Sequence, residues 1–344
     1  MIKTSSDQTE IISGLKNNKV IVLPTKNIYQ LATLSRNQKE LFNLKGSPID
    51  SAPVYFFSNT GELKKHTSAL PDYSVLLLSV LTPGPVTFIF NSNFSLDDKP
   101  TIACCIPAQP QLLDVLNQLN QPLATTSANP KGLPASTNLE MVEKYFDQKI
   151  DLVFSLNNYP QNSIESTVLD CTNPEKVVVT RPGVLSFQEI RQILPKNIEL
   201  VRNYSESDND FPKTILRTEK PNLESKKPTV VLGTKEKLRE VFGLSKLDYF
   251  LFKKHDNFLL LNLGSQTNLE NVAKNLNERL FTLYNCEVEN KYVLWQDWGD
   301  SNWGEVISYT LERFTTKSRA SKSPEETAKL NFLDNFRSSS LANL

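Results

Sequence analysis

Three short polar segments of this 344-residue chain each follow an apolar run. Residues 20–23 lead into Pro24-Thr25-Lys26-Asn27-Ile28-Tyr29, residues 123–126 into Ser127-Ala128-Asn129, and residues 177–179 into Thr180-Arg181-Pro182-Gly183. Hydroxyls, a carboxamide and a guanidinium placed beyond strand ends can converge on one ligand, because the crevice outside the strand ends of an open α/β sheet is where ligands bind. Lys45, followed by Gly46 and Ser47, can project a cation toward an anion just after a helix; Ser166 and Thr167 can present two hydroxyls to phosphate oxygens. Each segment also has a conformational reading. Ser, Asn, Thr and Pro-Gly are what turns use, Gly46 fits a helix C-cap, and Ser166 can cap a local turn. Taken singly, the segments leave both readings open.

The remaining composition narrows the chemistry. Lys plus Arg and Asp plus Glu both number 38, so net charge does not hold this chain on nucleic acid or a membrane surface. His66 and His255 are the only histidines, which excludes a multi-histidine metal site and leaves two candidates for a histidine base. His66 reads as a surface residue and His255 as part of a hairpin turn. Cys104, Cys105, Cys171 and Cys286 lack CxxC spacing, and neighbours on a strand point to opposite faces, so Cys104 and Cys105 do not share a ligand. Glycine is scarce, at 11 residues, and neither GxGxxG nor GxxxxGK[ST] occurs. No secretory leader or membrane-spanning run is visible, which gives a cytoplasmic expectation.

Around these segments the pattern predicts a helix capped within residues 5–7, strands over 20–23, 54–57, 86–90, 102–106, 123–126, 151–154, 167–169 and 177–179, and helices over 39–45, 72–81, 111–119 and 139–146. Residues 82–87 read as a stiff turn. This alternation predicts an α/β domain with a twisted, mixed, open sheet over 1–195. Residues 196–228 are poor in apolar side chains and read as a linker. A smaller α/β domain follows over 229–315, with paired strands at 247–252 and 258–263 and an amphipathic helix presenting Val272, Leu276, Leu280 and Leu283. Residues 316–344 read as a tail, in part disordered.

The order of the segments is more specific than any one of them. PTKNIYQL, LKGSP, TPGPVT, TTSANPKG, IESTVLD and VTRPG, in that order over about residues 10–195, resemble the YrdC-like threonylcarbamoyl-AMP synthases. The chain also resembles that family's long form, with a linker and a small Rossmann-like C-terminal domain. The resemblance implies ATP-dependent condensation of L-threonine and bicarbonate into threonylcarbamoyl-adenylate with release of pyrophosphate. Mg²⁺ would be bound through the phosphates and no protein metal site is implied. The product would supply a tRNA threonylcarbamoyl-transferase complex; weak RNA binding is a further expectation, and no membrane is involved. By position, Thr25 and Tyr29 would help form the threonine pocket, Lys45 and Arg181 would meet phosphate or carboxylate charge, and Ser127, Asn129, Ser166 and Thr167 would hold nucleotide and phosphate. Residues 211–221, with both bounding prolines and Arg217, would fold over the site.

The chain departs from the family pattern in residues 211–221, which lack the family's tyrosines, and at four further places. Ser47 and Cys105 stand where arginines are usual, Phe57 where the resemblance puts a histidine of the threonine pocket, and Gln30 where a glycine follows the tyrosine. Lys26 could return one positive charge. These departures carry an alternative expectation: a family member that binds nucleotide, threonine or RNA without completing the reaction.

Overall fold

Asp7, in extended backbone, accepts the Thr9 amide at 2.8 Å and starts α1 (Gln8–Lys16), which buries Ile11, Ile12 and Leu15 along one face. The computed structural model describes residues 2–48, 51–157, 160, 164–203, 229–232, 252–254, 258–263, 268–286, 290–295, 301–314 and 316–317. Contacts divide the chain into two units, Met1–Glu219 and Lys220–Leu344.

The first unit is built on one eleven-stranded sheet. Its strands are β1 (Lys3–Ser5), β2 (Ile21–Pro24), β3 (Tyr29–Leu34), β4 (Val54–Phe56), β5 (Val86–Asn91), β6 (Thr101–Cys105), β7 (Leu123–Ser127), β8 (Leu152–Phe154), β9 (Thr167–Asn173), β10 (Lys176–Arg181) and β11 (Glu199–Arg202). Their spatial order is β1-β8-β2-β3-β7-β4-β6-β5-β9-β10-β11. Pairing is mixed: β2 is antiparallel to β3, β3 to β7 and β7 to β4, whereas β4 is parallel to β6 and β5 to β9. The expected twisted mixed sheet is therefore the architecture. It includes three strands that hydrophobic patterning does not reveal: β1 and β3, and β11, which lies within the stretch expected to be linker. β11 extends the sheet because it pairs in parallel with β10.

The central strands are buried on both faces, so they read as continuous apolar runs. One core takes Val22, Tyr55, Phe88, Phe90 and Cys104; the other takes Ile21, Leu23, Phe56 and Cys105 together with α1 and α5 (Pro110–Leu119). Cys104 and Cys105 thus face opposite sides, as strand geometry requires. In α2 (Lys39–Lys45) the helix stops at Gly46, which adopts φ 63°, a left-handed C-cap that glycine takes without Cβ strain. In α4 (Asp72–Leu81), Tyr73, Leu77 and Leu78 are buried. The unit's other helices are α3 (Thr60–Lys64), α6 (Leu139–Phe146) and α7 (Phe187–Ile193).

In the second unit, five strands are ordered β13 (Phe252–Lys254), β14 (Phe258–Asn262), β15 (Asn290–Trp295), β12 (Thr229–Leu232) and β16 (Thr316–Lys317). All neighbours are parallel except β13 and β14. Helix α8 (Leu269–Asn285) connects β14 to β15, and α9 (Asn302–Phe314) connects β15 to β16, a small α/β unit of crossover type. Val272, Leu276, Leu280 and Leu283 are buried, as their spacing predicts. His255 and the expected strand before residue 252 lie outside the described residues, as does most of the tail. No helix among the described residues is long and apolar enough to cross a membrane.

Candidate active site

The β2–β3 turn is closed by its own side chains. The Thr25 hydroxyl donates to the Ile28 carbonyl at 2.8 Å and accepts the Ile28 and Asn27 amides at 3.2 and 3.3 Å. Thr25 and Asn27 are buried, whereas Lys26 between them is exposed. The expected supplementary charge at Lys26 is thus in a solvent-facing position. Tyr29 begins β3 with its ring buried, and burial pushes its phenol pKa up, so the hydroxyl stays protonated. Its backbone joins two later segments: the Tyr29 amide donates to Ser136 O at 2.8 Å and its carbonyl accepts the Ala128 amide at 2.9 Å.

That pairing puts the end of β7 beside α2. Lys45, the last helical residue before the Gly46 cap, reaches across to β7: its Nζ donates to Ser127 O at 2.6 Å, Ser127 Oγ at 3.2 Å and Asn129 Oδ1 at 3.0 Å. The conformational and chemical readings of this segment are therefore compatible, since the glycine stops the helix where the lysine is aimed. Asn129 is held in turn by its amide nitrogen, which donates to Leu133 O at 2.6 Å and Pro130 O at 3.1 Å. With the amide nitrogen so engaged, the carboxamide oxygen is left for the cation. Lys45, Ser127 and Asn129, from segments far apart in sequence, form one polar cluster.

A second cluster forms where β9 and β10 meet. Register shifts between Val179 and Arg181 as β10 runs along β9, and such irregularities re-aim side chains. Arg181 donates from Nε to Ser166 O at 2.9 Å, from Nη2 to Ser166 Oγ at 2.8 Å, and from Nη1 to Glu165 Oε2 at 2.5 Å. The Arg181 and Glu165 side chains are only 15% and 13% exposed. Ser166 Oγ also lies 2.9 Å from Thr87 Oγ1 on β5. Gly183 follows, and a Cβ there would sit 2.4 Å from Thr167 N and 2.5 Å from Glu165 O, so only glycine allows the two backbones this approach. Cys105 is close enough for the Arg181 charge to draw its thiol down, yet burial dominates and pushes it up to about 12.

One expected site residue, Thr167, and one departure from the family pattern, Phe57, have different surroundings. Thr167 is fully buried, and its hydroxyl donates to Leu185 O and accepts the Leu185 amide, both at 2.9 Å. It clamps backbone to backbone. Phe57 is buried in the first core with its ring 5.5 Å from that of His66, whereas its neighbour Phe56 shares a core with Cys105. His66 is itself half-buried, with Nδ1 2.7 Å from Ser95 Oγ, rather than a bare surface residue. Arg217 lies outside the described residues. Three participants escaped the sequence reading: Glu165, Thr87 and Asn27, the last of which donates its side-chain amide to Ile164 O. An Asn within a polar turn was the only sequence signal for Asn27. Among the described residues no three His, Cys, Asp or Glu side chains cluster as a metal site.

Residues 13–183 match the Sua5/YciO/YrdC family model, described as "Telomere recombination". The threonylcarbamoyl-AMP synthase of Pyrococcus abyssi is 26% identical over 188 residues, 52% of this chain and 55% of that protein. That of Bacillus subtilis is 27% identical over 196 residues, 52% and 54% of the two chains. This chain thus spans about half the length of these curated relatives. The crystal structure of P. abyssi Sua5 complexed with L-threonine superposes with a TM-score of 0.76 at 20% identity, over 93% of this chain and all of that one, a likeness of fold. Ordered motifs, mixed sheet and matched domain agree, and through residues 13–183 this chain belongs to the Sua5/YciO/YrdC family.

Proposed function

We propose that this protein is a threonylcarbamoyl-AMP synthase. The observation that carries the reading is the pair of polar clusters, Lys45–Ser127–Asn129 and Arg181–Ser166–Thr87, each centred on a cation held by hydroxyl, carboxamide or carbonyl groups. The names of the relatives, and the threonine in the complex of P. abyssi Sua5, support the assignment.

In this reading the threonine amine and bicarbonate condense to a carbamate, whose carboxylate attacks the α-phosphorus of ATP, and pyrophosphate leaves. The nucleophile comes from the substrates, so no catalytic histidine or cysteine is needed. The protein's part is to hold charge in line and keep water from the carbamate. Lys45 exchanges its contacts to Ser127 and Asn129 for phosphate oxygens, and the released hydroxyl and carboxamide bind nucleotide. Arg181, steadied by Ser166, meets the pyrophosphate end. Thr25 acts through the shape of its turn and Tyr29 through its buried ring, together forming the wall on which threonine rests. Mg²⁺ would be held by the phosphates of ATP, not by a cluster of carboxylates among the described residues, and would supply charge neutralisation there. Residues 229–315 form a separate domain, and the product passes to the tRNA-modifying transferase complex.

The test is pyrophosphate formation by purified protein with ATP, Mg²⁺, threonine and bicarbonate, each omitted in turn. Release dependent on both threonine and bicarbonate is the expected result. Binding of ATP or threonine without release would instead support the non-catalytic alternative.

A further inference from the structure

We propose that Glu165 is a stand-in oxyanion: its carboxylate holds Arg181 in the ligand-free protein, and an incoming phosphate oxygen takes its place. The proposal rests on reading the Arg181 cluster as the anion end of the proposed active site.

The geometry separates what orients Arg181 from what neutralises it. Two of the guanidinium nitrogens, Nε and Nη2, are bonded to Ser166, at its carbonyl and its hydroxyl. Ser166 is a fixed frame, because its hydroxyl meets Thr87 and its backbone lies against Gly183 too closely for a Cβ. These contacts set the plane of the guanidinium without Glu165. The third nitrogen, Nη1, is held at 2.5 Å by the Glu165 carboxylate, a side-chain tip that would swing aside on anion binding. Both side chains are largely withdrawn from water, so an arginine here without a nearby anion would be a costly charge, and Glu165 relieves that cost in the ligand-free state. A phosphate oxygen arriving at Nη1 meets a carboxylate already in position, and two anions on one guanidinium edge repel. Binding is therefore an exchange. Glu165 lowers affinity for the anion and keeps the site from trapping a leaving pyrophosphate, while Ser166 keeps Arg181 aimed throughout.

The opposite role, in which Glu165 steers Arg181 toward its ligand, predicts the reverse sign for one measurement. Binding of inorganic pyrophosphate to the full chain is measured by calorimetry at fixed Mg²⁺, alongside the thermal midpoint with and without pyrophosphate. Glu165→Gln is expected to bind pyrophosphate about tenfold tighter than wild type or better, since a contact charge in a half-dry site is worth at least that. Without pyrophosphate it should melt lower than wild type, and pyrophosphate should raise its midpoint by more. Equal or weaker binding by Glu165→Gln overturns the proposal, as does a tightening that persists when Arg181→Met is added. If Glu165→Gln does not fold, Glu165→Asp, whose shorter carboxylate holds Nη1 less closely, should show the same sign at smaller size; unchanged or weaker binding there overturns it equally. If neither wild type nor any variant binds pyrophosphate, the anion reading of the cluster fails, and this proposal with it. Tighter binding by Glu165→Gln in a protein that makes no threonylcarbamoyl-AMP would remove the function proposed above and leave this inference standing.

Discussion

Asn27, in the turn between β2 and β3, donates its side-chain amide to the carbonyl of Ile164, 137 positions further along the chain. The two residues come from opposite parts of the sheet, since β2 and β9 are separated by six pairings. The contact is made outside the strands, by the turn between β2 and β3 and the segment that precedes β9. The bond ties the Thr25–Tyr29 turn to the residue immediately before Glu165, and so links the wall assigned to threonine with the Arg181 cluster.

Replacing Asn27 by Leu keeps the bulk and removes the donor. The buried Ile164 carbonyl then loses this donor, and stability should fall by about 1–3 kcal/mol, read from the urea unfolding midpoint. If the tether serves the site, KM for threonine should rise several-fold more than kcat falls. Equal loss in both parameters would reduce Asn27 to a structural role.

Lys45→Met tests the first cluster. The substitution preserves a helix-forming, unbranched side chain, so α2 and its Gly46 cap should persist, while Ser127 and Asn129 lose their shared cation. A positioned cation at developing phosphate charge is worth about 10²–10³ in rate. Pyrophosphate formation should fall by that order with the far-ultraviolet circular dichroism unchanged, and activity within threefold of wild type would show that the reaction lies elsewhere.

Much of this arrangement is written locally, and the rest is not. Asp7 as a cap, the helical face Ile11-Ile12-Leu15, Gly46 as a stop signal and the heptad-like burial of α8 all follow from residues a few positions apart. β3 is different: Tyr-Gln-Leu-Ala-Thr-Leu has modest strand preference, and it becomes a strand because β2 and β7 pair with it from both sides. Lys45 was legible as a cation after a helix, but its meeting with Asn129 spans 84 positions. Thr167 shows the converse. A hydroxyl that could have met a phosphate is consumed by Leu185, a partner that appears only when β10 and the Arg181–Gly183 bend fold back.

Gly183→Ala tests that bend. The added Cβ would meet backbone atoms of Glu165, Ser166 and Thr167 at 2.4–2.6 Å, and none of these can swing aside as a side-chain tip can. Overpacking of this kind should destabilise by about 1–3 kcal/mol. Because the displaced backbone carries Ser166, the variant should also bind pyrophosphate more weakly than wild type at a temperature where both are folded. A stable variant with unchanged affinity would mean that the bend relaxes without moving Arg181.

The half-buried His66 gives a pH signature with a defined sign. Its ring lies 5.5 Å from that of Phe57 and its Nδ1 is 2.7 Å from Ser95 Oγ. Burial lowers its pKa below the ordinary value near 6.5, outweighing the opposing pull of Glu62, and Lys65 adds a smaller effect in the same sense as burial. In the window between the lowered folded value and about 6.5, the unfolded chain binds more protons than the folded one, so stability rises with pH there. The contribution is complete above about pH 6.5 and is lost as pH falls through the folded value. His66→Gln removes this titration while leaving the carboxylates common to both proteins. The difference in melting temperature, wild type minus His66→Gln, should therefore be smaller at about pH 5 than at about pH 7.5. A difference that stays constant, or widens toward acid, would show that the folded protein accommodates the imidazolium as readily as water does.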